Sequence, residues 1–211
     1  MKRLGILLSG RGSNFIAIAD AIANRRLMGV EIAIVLSNVA DAPGILAAQE
    51  RGLTTAVVES KGRSRAEHDA EVVARLHQHH ADLICLAGYM RILSPRFVEA
   101  FRQCILNIHP SLLPEFPGLH PQQQALAAGA AESGCTVHFV DEQVDHGTII
   151  LQRSVPVLPG DDEDSLAARI LEQEHGAYPE AIARVLSGQY VCSDGRYVKR
   201  GSSTQTKIAR A

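Results

Sequence analysis

No apolar run in the sequence approaches the roughly 18–20 residues needed to span a bilayer. The start, Met1-Lys2-Arg3, resembles a signal peptide, but the apolar stretch from Leu4 to Leu8 is cut at once by Ser9-Gly10-Arg11-Gly12. That is too short for a signal-peptide core, so the chain is expected to stay in the cytoplasm, with no membrane partner. An excess of either charge is also missing. Lys plus Arg number 21 and Asp plus Glu 23, a net charge of -2, which gives no reason to expect nucleic acid as a partner. Closely paired cysteines are absent: Cys85, Cys104, Cys135 and Cys192 are widely spaced, with no CxxC. Core thiols of a cytoplasmic protein are the simplest account of them. No internal repeat occurs, and no Gly/Ser-rich linker divides the chain.

What is present is ordinary for a globular protein. With 46% hydrophobic and 21% charged residues, a chain of this length suits one domain with a sizeable core. Short β-type runs alternate with helical patterns. Strands are predicted over residues 3–8, 30–36, 54–58, 83–87 and 104–109, the fourth an apolar run of the kind buried on both faces. Helices are predicted between them over 14–23, 43–51, 64–79 and 94–101. In the first of these Phe15, Ile18 and Ile22 share a face, and in the third Val72, Val73 and Leu76 do. After residue 109 a proline-dense loop (Pro110, Pro114, Pro117, Pro121) leads to two strands, 136–140 and 148–157, joined by an acidic turn. A long helix over 165–186 closes the ordered part. The fold class is therefore α/β: a Rossmann-like, mostly parallel twisted sheet with an antiparallel C-terminal extension. Residues 201–211 read as a flexible tail.

Ser9-Gly10-Arg11-Gly12-Ser13-Asn14 lies where the first strand meets the first helix, at the edge of a parallel sheet where ligands bind. Glycines let backbone N–H groups approach an anion, and the helix N-terminus favours negative charge. Ser13 and Asn14 are also good capping residues, so a plain tight turn accounts for the loop equally well. A Walker loop is excluded by the lack of lysine. A dinucleotide fingerprint fails because position 15 is Phe and the second strand ends in Leu36-Ser37-Asn38. A single terminal phosphate fits better.

Asn107 and His109 are two apart at a strand end, so both side chains point to one face. A strand-end histidine alone is more often structural. Beside an asparagine, at the carboxyl edge of a parallel sheet, it gains a chemical reading: an amide donor and a proton switch able to stabilise a developing oxyanion. Asp141, Glu142 and Asp145 form an acidic turn that, by itself, reads as solvated. An Asp close to His109 would hold the imidazolium form and raise its pKa.

The run Asn107-Ile108-His109-Pro110-Ser111-Leu112-Leu113-Pro114 resembles the signature of the folate-dependent formyltransferases. The similarity extends from Arg3 to about Tyr190, and it is greatest to the members that formylate glycinamide ribonucleotide. It implies a catalytic set of Asn107, His109 and Asp145, with the acidic turn folded back over the sheet edge. It implies ribonucleotide-phosphate binding at Gly12, Ser13 and Asn14, and a substrate contact from Glu174. It implies a folate pocket of Arg65, Met90, Arg91, Ile92, Leu93, Asn107 and the turn Asp141, Glu142, Gln143, Val144 and Asp145. The implied formyl donor is 10-formyltetrahydrofolate, with no metal, and the partners are small molecules, the chain being a monomer or homodimer. One formyltransferase domain over 1–200 follows, with a parallel phosphate-binding part (1–110) and a folate-site and C-terminal part (111–200).

Two positions depart from the family's pattern. Pro121-Gln122 follows His120 where many relatives carry a second His, and Glu115 stands where a basic or neutral residue is common. Of the remaining histidines, His77, His79 and His80 suit a helix C-terminus. His138 reads as packing or a hydrogen bond to the site, and His120 as either a loop-orienting residue or a substrate contact. A deformylating relative would carry a further N-terminal regulatory domain. A tRNA-formylating one would carry a C-terminal domain and a basic face. A non-catalytic binding module would have no need of the Asn107, His109 and Asp145 set.

Overall fold

A computed structural model describes residues 1–200, so the expected tail at 201–211 lies outside the described residues. The chain begins β1 (Lys2–Leu8), α1 (Ser13–Ala23), β2 (Val30–Ser37), α2 (Pro43–Glu50), β3 (Thr55–Val57) and α3 (Arg65–Gln78). It continues β4 (Leu83–Leu86), α4 (Pro95–Ala100), β5 (Ile105–His109), α5 (Pro121–Ala127), β6 (Glu132–Phe139) and β7 (Ile149–Pro156). Then come α6 (Glu163–Leu186), β8 (Tyr190–Ser193) and β9 (Arg196–Lys199). One sheet holds every strand, in the order β3-β2-β1-β4-β5-β6-β7-β9-β8. The first five are parallel, β6 and β7 run antiparallel beside β5, and β9 returns parallel to β7.

The two-residue period of each strand divides its side chains between two cores. Leu4, Ile6 and Leu8 of β1, with Cys85 of β4 and Leu106 of β5, join Phe15, Ile18, Ile170 and Tyr178 on the face covered by α1, α2 and α6. Leu7, Ile84, Leu86 and Ile105 face the other way, against Val72 and Leu76 of α3 and Phe97 of α4. Asn107 and His109 follow Ile105 in that alternation, on the α3 and α4 side. Gly5 permits this packing: a Cβ there would come within 2.4 Å of the Leu76 side chain.

The predicted strands and first four helices all form, with ends displaced by a residue or two and β6 beginning four residues earlier. Two expectations fail. The proline-dense loop contains α5, because Pro121 sits in the first turn, where its missing N–H costs nothing. The long helix does not close the ordered part, since β8 and β9 form a hairpin beyond it. That hairpin is held by Tyr190 stacked on Tyr197, with the Arg184 guanidinium 5.7 Å from the Tyr190 ring. Cys85 and Cys135 are buried thiols, each pushed up to about 12 by burial. Cys192, on β8, is exposed and is not a core thiol. No helix among the described residues is long and apolar enough to cross a membrane.

Candidate active site

In the sheet order the chain moves outward from β1 in one direction and from β4 in the other. A crevice therefore opens past the carboxyl ends of these two strands, where doubly wound sheets bind ligands. Four segments converge there: the loop after β1, the loop after β4, the end of β5, and the turn between β6 and β7.

After β1 the chain turns through Gly12, whose φ of 71° is left-handed. Gly12 itself caps α1, and no side chain closes the cap; Ser13 and Asn14 are the first helical residues and not its caps. No side chain therefore accepts the N-cap hydrogen bond at the start of α1. The Gly10 carbonyl accepts from the Gly44 N–H of α2 at 3.0 Å, and a Cβ on Gly12 would meet the Gly44 Cα at 3.0 Å. Asn14 is buried, and its Nδ2 donates to Glu174 Oε2 on α6 at 2.6 Å, leaving its Oδ1 without a partner. Burial pushes the Glu174 carboxyl above the usual carboxylate range, and the Asn14 donor only partly offsets this.

The loop after β4 is tied to the loop after β1 through Ser9, which the sequence reading did not single out. Ser9 donates its N–H to the Gly88 carbonyl (3.0 Å) and its hydroxyl to Asn38 Oδ1 (2.6 Å), and accepts the Met90 N–H (2.8 Å). Met90 and Ile92 are exposed, Leu93 packs partly into the α3-side core, and the Arg91 Nε is buried without a partner. Arg65 is the first residue of α3 and exposed. Tyr178, fully buried on α6, spans the ends of β4 and β5, its hydroxyl 3.1 Å from the Leu86 carbonyl and 3.0 Å from that of Leu106.

At the end of β5 the sequence-predicted trio comes together, with a fourth member. His109 Nε2 donates to the Phe116 carbonyl at 2.9 Å, and its Nδ1 lies 3.3 Å from Asp145 Oδ2. His138, on β6 opposite Asn107, donates from Nδ1 to the Phe139 carbonyl at 2.9 Å. Its Nε2 then faces the Asn107 amide at 3.2 Å and Asp145 Oδ1 at 3.7 Å. Asp145 accepts the Gly118 N–H at 2.9 Å and holds a left-handed φ of 53°. The turn does fold over the sheet edge. Asp141 braces it, accepting from the Gln143 N–H and from His146, while Glu142, Gln143 and Val144 are exposed. Of the two alternatives read from sequence for His138, the hydrogen bond to the site is the one that forms: it lies between Asn107 and Asp145.

Asp145 acts on the pKa of His109 in the expected, raising direction, yet the net shift is downward. Burial pulls it below the ordinary histidine value, and the Phe116 carbonyl and the Asp145 carboxylate oppose that without reversing it. Burial alone would push Asp145 up. The nearby His138 ring, the Gly118 N–H and the charge of His109 more than compensate, so its carboxyl lies below the usual range. His120 is the N-cap residue of α5 in a left-handed conformation, and its exposed ring lies 3.5 Å from Glu163. Glu115 is exposed.

The formyl transferase family profile matches residues 2–182. The chain belongs to the formyl transferase family. It is 48% identical over 194 residues to the trifunctional purine biosynthetic protein adenosine-3 of Drosophila melanogaster, covering 91% of this chain but only 14% of that longer one. It is 44% identical over 185 residues to the phosphoribosylglycinamide formyltransferase of Escherichia coli, covering 87% of each chain. The crystal structure of glycinamide ribonucleotide transformylase 1 from Symbiobacterium toebii superposes with a TM-score of 0.91 at 46% identity, over 94% of both chains. The mostly parallel sheet with antiparallel strands behind it is thus the formyl transferase fold, as the motif resemblance implied.

Proposed function

We propose that this formyl transferase moves the formyl group of 10-formyltetrahydrofolate to the amine of glycinamide ribonucleotide, a step of purine biosynthesis. The observation that carries the reading is the seating of Asn107 and His109 on one strand end with Asp145 against His109. Phosphate binding falls to the open first turn of α1 at Gly12, Ser13 and Asn14, and the ribonucleotide's polar groups to Glu174. The exposed apolar side chains of Met90, Ile92 and Val144 beside the unpartnered Arg91 Nε suit a flat reduced folate with an anionic tail. Arg65, Leu93 and the 141–145 turn complete that pocket. The two-part division at about residue 110 of a single domain is read the same way, with the phosphate bound by the first part. The protein acts in the cytoplasm on small molecules, as a monomer or homodimer, without nucleic acid.

In this mechanism the amine lone pair attacks the formyl carbon, and the carbonyl electron pair moves to oxygen. The tetrahedral oxyanion is met by the Asn107 amide and by His109. Protonated His109, its charge supported at Nδ1 by the Asp145 carboxylate, offers Nε2–H to the substrate oxygen in place of the Phe116 carbonyl. Collapse breaks the bond from the formyl carbon to the folate nitrogen, which takes a proton as the amine loses one. No covalent enzyme intermediate and no metal enters. The test is to mix the protein with 10-formyltetrahydrofolate, with and without glycinamide ribonucleotide, and follow tetrahydrofolate by absorbance and formylated product by mass. Formyl transfer that depends on the ribonucleotide is expected. Equal loss of formyl without it would make the protein a hydrolase, and no turnover would leave a binding module.

A further inference from the structure

The loop after β4 must hold a definite shape if it lines the folate pocket. Its first half is fixed by Ser9 at Gly88 and Met90. Its far end is fixed by a carboxylate of α3. Asp69 of α3, 2% exposed, accepts the Ser94 N–H on Oδ2 at 2.6 Å. Its Oδ1 lies 3.3 Å from Nδ1 of the fully buried His68, whose Nε2 donates to the Val58 carbonyl at 2.9 Å. Asp69 falls in the apolar stripe of α3 with Val72 and Leu76, where a charged residue is costly. Capping α4 does not require it, because the Ser94 hydroxyl already accepts the Phe97 N–H. The buried carboxylate therefore serves the chain just before Ser94, which is the loop. A charge-assisted bond to a backbone N–H is short and directional, and this one pins the residue following Leu93.

We propose that Asp69 is a positioning residue: buried beside His68, it clamps Ser94 and so sets the conformation of the Met90–Leu93 segment that receives the folate. The proposal rests on the reading of that segment as the folate pocket. Asp69 touches no substrate, so its loss acts on folate binding and spares the chemical step and the ribonucleotide site.

The experiment compares the full-length protein with D69N and D69A. Asn keeps an acceptor for the Ser94 N–H but drops the charge. The KM for 10-formyltetrahydrofolate is expected to rise about tenfold in D69N and further in D69A. The kcat at saturation stays within about twofold, and the KM for glycinamide ribonucleotide is unchanged. A fall in kcat with an unaltered folate KM, or an equal rise of both KM values, overturns the proposal. The sequence has no tryptophan, so Ile92→Trp provides a single reporter on the loop. Its fluorescence anisotropy, read without ligand, is expected to drop when D69N is added. An unchanged anisotropy overturns the clamp even if D69A does not fold. If the wild type shows no folate-dependent turnover, the functional reading fails, and this anisotropy still decides the clamp.

Discussion

The Asn14 amide and the Glu174 carboxylate meet at 2.6 Å although 160 positions separate them in the chain. Both are buried, and the carboxyl is pushed up by that burial. A carboxyl raised in the folded state adds stability below its unfolded value of about 4.5 and loses it as pH rises through the folded value. Glu174→Gln removes this loss while keeping an acceptor for Asn14. The variant is expected to melt above the wild type at pH 7, with the gap closing below pH 4.5. Its KM for glycinamide ribonucleotide should rise at least about tenfold, the price of that stability. Thermal unfolding across pH and steady-state kinetics check both, and a gap that does not depend on pH would contradict the account.

His109 offers a second pH test. Its pKa lies below 6.5 because burial outweighs the Phe116 carbonyl and Asp145. The unfolded chain then takes up a proton that the folded chain resists, so this contribution to stability is present above pH 6.5 and is lost as pH falls through the folded value. Asp145→Asn removes the counter-charge and should lower the His109 pKa further. NMR titration of the labelled ring gives both values, and a pKa that does not move in D145N would show that the carboxylate does not support the imidazolium.

Asn107→Ala and His109→Ala each delete one donor to the proposed oxyanion. Such deletions cost on the order of 100–1000-fold in turnover. The fold should survive in both, judged by circular dichroism, because neither residue joins the two cores. Near-normal kcat in either variant would remove that residue from the mechanism.

Gly12→Val tests the phosphate loop. A side chain at φ 71° costs about 1–2 kcal/mol, more when β-branched, and the new Cβ meets the Gly44 backbone at 3.0 Å. Lower thermal stability and a raised KM for glycinamide ribonucleotide are expected, with the folate KM unchanged. Saturation with the ribonucleotide identical to the wild type would dissociate this loop from phosphate binding.

Much of this was readable before any coordinates. Alternation of apolar runs located β1 to β5, and the Asn-x-His spacing put two side chains on one face without knowledge of the fold. What escaped was decided by tertiary context. The β8–β9 hairpin has strands of only four residues, too short for a hydrophobic period to mark it; the signal available was Asp194-Gly195, both at positive φ, a pairing typical of tight hairpin turns. The direction of the His109 shift needed burial, which a neighbouring aspartate in the sequence cannot report. For His138 the sequence left packing and a hydrogen bond to the site both open, because its partners, Asn107 and Asp145, lie on different elements. Asp69 was visible as a charge within the apolar stripe of α3, but the N–H it serves lies 25 residues away.

The distance in sequence between Asn14 and Glu174 also has a consequence for the birth of the protein. At about 5–20 residues per second of synthesis, roughly 8–32 s pass between the emergence of one and the other. Through that interval the amide of Asn14 waits for its carboxylate. Contacts so far apart close late and slow the folding of the whole. A ribosome that stalls before α6 therefore holds a chain that already carries Asn107, His109 and Asp145 but lacks the carboxylate that Asn14 meets.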